Sequence, residues 1–475
     1  MSPDRGSGTA PRLNVLHERQ IGLLHAGAMR VLESTGVEVR HEVALDLLKK
    51  AGGRADGSRA FIPARLVDRA LETAPSRITL WDREGNPVMP LDEGRTYFGG
   101  SSDNPEILDP YLRQRRPLNR ADVVLATRLC DALPNVDFIM SGGLVSDVDP
   151  QVADRVAFKE MALNTTKPLM FCCAGRRSLD DIVETAAAVA GGLDGLTARP
   201  FICHYSEPVS PLTHSTDAVD KLLRCSELGL PCVYIPMPMA GATAPATGAG
   251  TLVVNMAEVL SGLVISQLAR EGAPFVFGGI PGILDMKTTV FPYAAPEMWL
   301  WSAALADAGR FYGLPVFSTG GCSDSKWFDQ QAAAEAAASC LMGALSGAAL
   351  VHDLGFLDRA VLLSLELMVF EDEVIGAIRS VMKGVEVNER TMALDLVQRV
   401  GPGGHFVGER HTRENYRSFW SPSLFDRGRD WAGSSPDDLF ERLNARVKHI
   451  LENHRARPLP DDVVDRLDTM ESRWK

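Results

Sequence analysis

The run Pro315-Val316-Phe317-Ser318-Thr319 is closed by Gly320-Gly321, followed by an alanine-rich stretch from Gln330 to Ser346, and answered by a second short run, Ala349-Leu350-Val351-His352-Asp353. Short apolar and β-branched runs bounded by Pro and Gly read as buried strands. The longer stretch between them, rich in Ala, Leu and Met, reads as a helix. Strand, helix and strand in that order make a parallel unit. The same pattern recurs upstream at Arg95–Gly99, Val136–Ser141, Pro168–Ala174, Pro200–Tyr205, Pro231–Pro236 and Pro274–Gly279. Helical segments are expected at Ala121–Ala132, Leu179–Ala190, Ser215–Leu228, Val253–Glu271 and Pro296–Tyr312. Five of the eight runs open on Pro, which a strand tolerates at its first residue. Eight such units predict an α/β fold, a closed (β/α)8 TIM barrel. An open doubly wound sheet is the alternative, but no G-x-G-x-x-G fingerprint follows an early strand.

Around this core the chain reads as helical. Leu23, Leu24, Ala28, Val31 and Leu32 form one stripe, and further helices are expected over His41–Ala51 and Pro63–Thr73. The division predicted is an N-terminal helical cap packed on the barrel (1–90), the barrel core (91–360) and a C-terminal helical extension (361–475), all in one integrated domain. The extension is broken at Gly401-Pro402-Gly403-Gly404, is irregular over Trp420–Gly433, and ends in helices near Asp437–Arg455 and Asp461–Glu471. The formal net charge of −12 argues against a general nucleic-acid or anionic-membrane binder. It leaves a small cationic substrate open. The eight cysteines include no CxxC pair and no zinc-finger spacing, which fits buried thiols in a reducing compartment. The polar stretch Met1–Arg12 lacks the apolar segment of a secretory signal, so a cytoplasmic location is expected.

Barrel enzymes draw their reacting groups from the C-terminal ends of the strands and the loops beyond. Those positions hold Tyr97 to Pro105, Ser141-Gly142-Gly143, His204 to Pro208, Met237 to Pro245, Gly278 to Gly282, Gly320 to Lys326 and His352 to Phe356. Glycine lets backbone approach a ligand closely. Aromatic and methionine side chains recur beside it (Tyr97, Phe98, Tyr205, Met237, Met239, Phe277 and Phe356), and aromatic faces attract cations. Packing is the better reading of any one of these alone, and a cation pocket is favoured only for the group together. His352-Asp353 suits a general base or a loop cap, and Asp324 with Lys326 suits a catalytic or a structural ion pair. His405 and His411 lack the H-E-x-x-H spacing of a zinc helix, so no metal site is expected.

The segments Ser318 to Lys326 with Asp329-Gln330-Gln331-Ala332, Val351 to Leu357, Gly401 to Gly408 and Tyr97 to Asn104 together resemble the trimethylamine methyltransferase family, over nearly the full chain. The resemblance implies a TIM barrel that passes a methyl group from an amine to the cobalt of a separate corrinoid protein. Pyrrolysine-containing members act on trimethylamine, with that residue near the position of Cys322. Here the loop reads Gly321-Cys322-Ser323, which points to the non-pyrrolysine branch and to quaternary amines such as glycine betaine. A quaternary ammonium already carries its charge and leaves as a neutral tertiary amine, so it needs no electrophilic residue to activate it.

The reaction expected is in-line displacement at a methyl carbon by cobalt(I), driven by orientation and desolvation. Tyr97, Tyr205 and Phe356 are the candidate cation cage, with Gln330 a further substrate contact. Asn104 and His352 are the candidates for holding a substrate carboxylate. Asp103 and Asp324, with His352, are the candidate catalytic groups, the two carboxylates balancing the cationic head. No tightly bound cofactor is expected, cobalamin arriving on the cognate corrinoid protein; a homo-oligomer is compatible with the sequence. The alternatives are a barrel lyase or aldolase, for which Lys287 and Lys326 lie nearest to strand ends, and a non-catalytic ligand-binding barrel.

Overall fold

The computed structural model describes residues 10–92, 94–428 and 438–474. Seven strands form one parallel sheet in the order Tyr97–Gly100, Leu350–Leu354, Val316–Thr319, Phe275–Gly278, Cys232–Tyr234, Ile202–Ser206 and Leu169–Phe171. The two free edges are joined through Phe138 and Ile139, which bridge in parallel to Gly99 on one side and Leu169 on the other. The sheet therefore closes on eight strands as a (β/α)8 barrel. The second strand is reduced to bridges. The Phe138 ring fills the interior so closely that a Cβ at Gly99 would stand 2.1 Å from it.

The barrel helices are Arg120–Ala132, Ala153–Asn164, Arg176–Val189, Thr216–Leu228, Gly248–Ala269, Pro296–Tyr312, Gln330–Ser346 and Leu365–Val381. Helix Ala153–Asn164 is absent from the sequence reading because its buried positions include Arg155, Lys159 and Glu160, which blur any apolar stripe. These charges are paired: Arg155 with Asp181 at 2.6 Å and Lys159 with Glu471 at 2.5 Å. The eighth helix lies beyond residue 360, so the region expected as an extension begins with barrel.

Side chains inside the barrel alternate with outward ones along each strand. Tyr97, Phe138, Met170, Cys203, Val233, Val276, Phe317 and Leu350 form one apolar cluster with Ile78, Leu80, Met89 and Leu91. The latter four come from the hairpin Thr79–Trp81/Pro87–Pro90 and its flanks. Trp81 N–H donates to the Pro200 carbonyl at 2.9 Å, just before the fourth strand, so the hairpin plugs the end at which the strands begin. The opposite end, where the strands finish, is the mouth.

The N-terminal region is not purely helical. Helices Glu18–Arg30, Glu42–Lys50 and Ala64–Thr73 are interleaved with strands Val37–Val39, Arg54–Asp56 and Arg59–Phe61, and Thr213–His214 joins them from the loop after the fourth barrel strand. Strands of three residues are too short to show an alternating pattern. The three helices pack on Gly248–Ala269. That helix is long and apolar enough to cross a membrane, with a mean hydropathy of 1.6, yet 83% of the apolar window is buried in the protein. Barrel strands on one side and N-terminal helices on the other account for its apolarity.

A second small sheet, Phe356–Leu357, Leu362–Ser364, Glu106–Leu108 and Arg115–Pro117, brings together the loops after the eighth and first barrel strands. In the tail, Asp438–Asn453 packs on Leu365–Val381 and Arg120–Ala132, and Asp461–Glu471 packs on Ala153–Asn164 and Arg176–Val189. Of the expected features, residues 1–9 of the polar N-terminus, residues 429–433 of the irregular segment and Asp437 lie outside the described residues.

Candidate active site

The uppermost inward positions of four strands meet at the mouth. They are Cys172 beyond the third strand, Tyr205 on the fourth, Thr319 on the seventh and His352 on the eighth, above Phe317. The Tyr205 ring lies 5.4 Å from Phe317 and 5.8 Å from His352, and the Phe317 and His352 centroids are 4.5 Å apart. On the loops above, Tyr293 meets Phe356 edge-on at 6.1 Å and Phe291 at 5.2 Å.

Carboxylates line the same space. Glu207 follows Tyr205 by one strand repeat, so it points to the same side, and it accepts a hydrogen bond from the Tyr205 hydroxyl. Asp103 sits at a positive φ of 61° and accepts from Ser102 Oγ at 3.0 Å; that oxygen lies 4.0 Å from Cys172 Sγ. Asp353 is fully buried at φ 90° and accepts from Thr319 Oγ1. A non-glycine residue held there is strained. The strain coincides with a register break between Val351 and Leu354. His352 Nδ1 stands 2.9 Å from Asp353 Oδ1 without the alignment of a hydrogen bond, and His352 Nε2 has no protein partner.

Burial pushes the Glu207 carboxyl above its usual range; the Tyr205 hydrogen bond opposes this, Asp103 and Asp353 add to it, and His352 counters it. Desolvation, together with neighbouring acids, also holds the Tyr205 and Tyr293 hydroxyls and the Cys172 and Cys322 thiols well above their ordinary values. These thiols are therefore protonated and poor nucleophiles. A cavity of about 310 Å³ opens beside the mouth, lined by Ser102, Asp103, Met161, Met170 and Cys172 among others.

Of the residues expected at the site, the structure gathers Asp103, Tyr205, His352 and Phe356 at the mouth and separates four others. Tyr97 begins its strand and belongs to the plugged end, with the Arg95 guanidinium over its ring at 4.9 Å, so its face is already occupied. Asn104 is fully buried and its amide donates to Ser101 Oγ and the Gly142 carbonyl, which ties the first loop to the second. Asp324 accepts from the backbone N–H groups of Tyr293 at 2.9 Å and Ala294 at 3.3 Å, so it positions the Tyr293 loop. Gln330 is the exposed first residue of its helix. Lys287 and Lys326 are exposed, without the desolvation that a Schiff-base lysine needs. His405 and His411 are exposed in the tail.

Two mouth residues escaped the sequence reading. Glu207 was legible: positions 203, 205 and 207 share one face by strand alternation. Tyr293 was not, since it lies in an aperiodic loop and reaches the mouth only because Asp324 holds it.

The trimethylamine methyltransferase (MTTB) family model matches residues 5–475. The chain is similar to trimethylamine methyltransferase MttB of Desulfitobacterium hafniense (strain DSM 10664 / DCB-2), 32% identical over 94% of this chain and 91% of the relative. It is equally similar to glycine betaine methyltransferase of D. hafniense (strain Y51), 32% identical over 96% of this chain and 95% of the relative. Among solved structures, monomethylamine methyltransferase of Methanosarcina barkeri aligns with a TM-score of 0.49 and 12% identity, covering 99% of this chain and 95% of that one.

Proposed function

Since the chain belongs to the trimethylamine methyltransferase family, and is a methyltransferase, we propose that it moves a methyl group from a quaternary amine to cobalt(I) of a separate corrinoid protein. The observation that carries this reading is the pairing of aromatic rings with carboxylates at one barrel mouth: Tyr205, Tyr293 and Phe356 beside Glu207 and Asp103. A tetraalkylammonium head has no N–H to donate, so ring faces and offset negative charge are what can bind it. In the proposed reaction the methyl carbon–nitrogen bond breaks with its electron pair left on nitrogen, and the amine departs neutral. The cobalt(I) pair forms the new bond to carbon. The corrinoid supplies the nucleophile; the residues of this chain hold the donor, exclude water and aim one methyl outward.

Large apolar side chains stand exposed on loops at this end of the barrel: Leu144, Val209, Met286 and Trp327, after strands two, four, six and seven. Such a rim suits docking of a partner protein. Glycine betaine, the substrate named for one relative, belongs among the quaternary donors to test. A cytoplasmic site of action fits a donor and a partner that both meet the enzyme in solution. Methyl transfer to a cobalt(I) corrinoid protein, followed spectroscopically with paired quaternary and tertiary amines, tests the reading; transfer from the quaternary amine alone is the expected result.

A further inference from the structure

The charges around the mouth are of one sign. Glu207 faces Asp103 and Asp353, Tyr293 faces Asp353, Glu207 and Asp103, and Cys172 faces Asp103 and Glu207. His352 is the cationisable side chain in this group, and the carboxylate of Asp353, 2.9 Å from its Nδ1, offsets any charge it gains. Of the basic residues near the mouth, Lys221 is engaged with the Cys173 carbonyl at 2.7 Å, Arg176 with Asp180 at 2.9 Å and Arg359 with Asp358 at 2.8 Å, while Lys287 and Lys326 are exposed to solvent. A ligand carboxylate placed here would meet two or three like charges in a partly dry site, which is strongly unfavourable. What the site does offer a ligand's arm is His352 Nε2, on a residue only 5% exposed and without a hydrogen-bond partner. A neutral hydroxyl satisfies that nitrogen without bringing charge.

We propose that Glu207, held by Tyr205 and backed by Asp103, makes this site select quaternary ammonium ions with a neutral hydroxyalkyl arm over those with a carboxylate, the arm's hydroxyl bonding to His352 Nε2. This rests on the reading of a quaternary amine donor. It also reverses the role expected for His352 from the sequence: the residue is a specificity determinant for a neutral arm.

Three ligands share the trimethylammonium head and differ only in the arm: choline, glycine betaine and tetramethylammonium. Their dissociation constants for the full chain, measured by titration calorimetry, test the inference. Choline should bind about ten-fold or more tightly than glycine betaine. Glu207→Gln should weaken choline, strengthen glycine betaine and close most of that gap, with Asp103→Asn shifting it in the same direction in case Glu207→Gln does not fold. His352→Ala should bring choline down to the affinity of tetramethylammonium. Glycine betaine binding as tightly as choline, or an unchanged ratio in both folded carboxylate variants, overturns the inference and leaves the quaternary donor standing. Failure of all three ligands to bind, with trimethylamine binding instead, overturns both.

Discussion

The Tyr205 hydroxyl donates to the carboxylate of Glu207, one strand repeat further on, so a ring face and a negative charge enter the barrel mouth as one unit. Tyr205→Phe keeps the ring but leaves a desolvated carboxylate without its donor. A hydrogen bond to a charged group contributes about 1.5–3 kcal/mol. Tyr205→Phe is expected to raise KM several-fold, and Tyr205→Ala to raise it further, because the ring face is then lost as well. Steady-state kinetics on both variants separates the two contributions.

Asp324 acts through Tyr293. Removing its side chain leaves the Tyr293 and Ala294 N–H groups without their acceptor, and the ring opposite Phe356 loses its fixed position. Asp324→Ala should raise KM with little change in the melting temperature of the barrel, whereas Gln330→Ala, on an exposed helix start, should change neither.

Glu258 sits fully buried on helix Gly248–Ala269, accepting from Ser210 Oγ and the Leu212 N–H, and burial pushes its pKa up to about 7 against the donors that oppose it. Its folded pKa is above its unfolded one. Its contribution to stability is therefore complete below the ordinary carboxyl pKa and is lost as pH rises through about 7. The melting temperature of Glu258→Gln should fall less than that of the parent between pH 5 and pH 8. Parallel pH curves would show that Glu258 is not the titrating group.

Lys159, buried, pairs with Asp468 and Glu471 and so fastens the last helix to the barrel. Glu471 is also held by Arg120, and these hydrogen bonds outweigh desolvation and lower its pKa. Lys159→Met removes the buried charge and leaves carboxylates that reach solvent, Glu471 keeping its Arg120 pair, so a loss of no more than about 1 kcal/mol is expected in urea unfolding.

The barrel was legible because strands such as Pro315–Thr319 are buried on both faces and punctuated by Pro and Gly, and because helix Gln330–Ser346 has the composition its state requires. Helix Ala153–Asn164 was not, since its inward charges are neutralised by partners far along the chain. At the mouth, Tyr205, Asp103, His352 and Phe356 were found by their places at strand ends. Tyr97 was misplaced because a strand's first residue faces the plugged end rather than the mouth, and residue type alone does not tell the two apart. Asn104 and Asp324 have the chemistry of ligands, yet both are used on neighbouring loops, a fact that only three-dimensional neighbours reveal.

The most direct test of the account is methyl transfer itself. The chain, a cobalt(I) corrinoid protein and one amine at a time are mixed, and the cobalt spectrum is followed. Methyl-cobalt(III) is expected from a quaternary amine, at a rate that drops at least about ten-fold in Glu207→Gln, a barrier change of about 1.4 kcal/mol, and none from trimethylamine. Equal rates from trimethylamine, or no methylation from any quaternary amine by the folded protein, would contradict it.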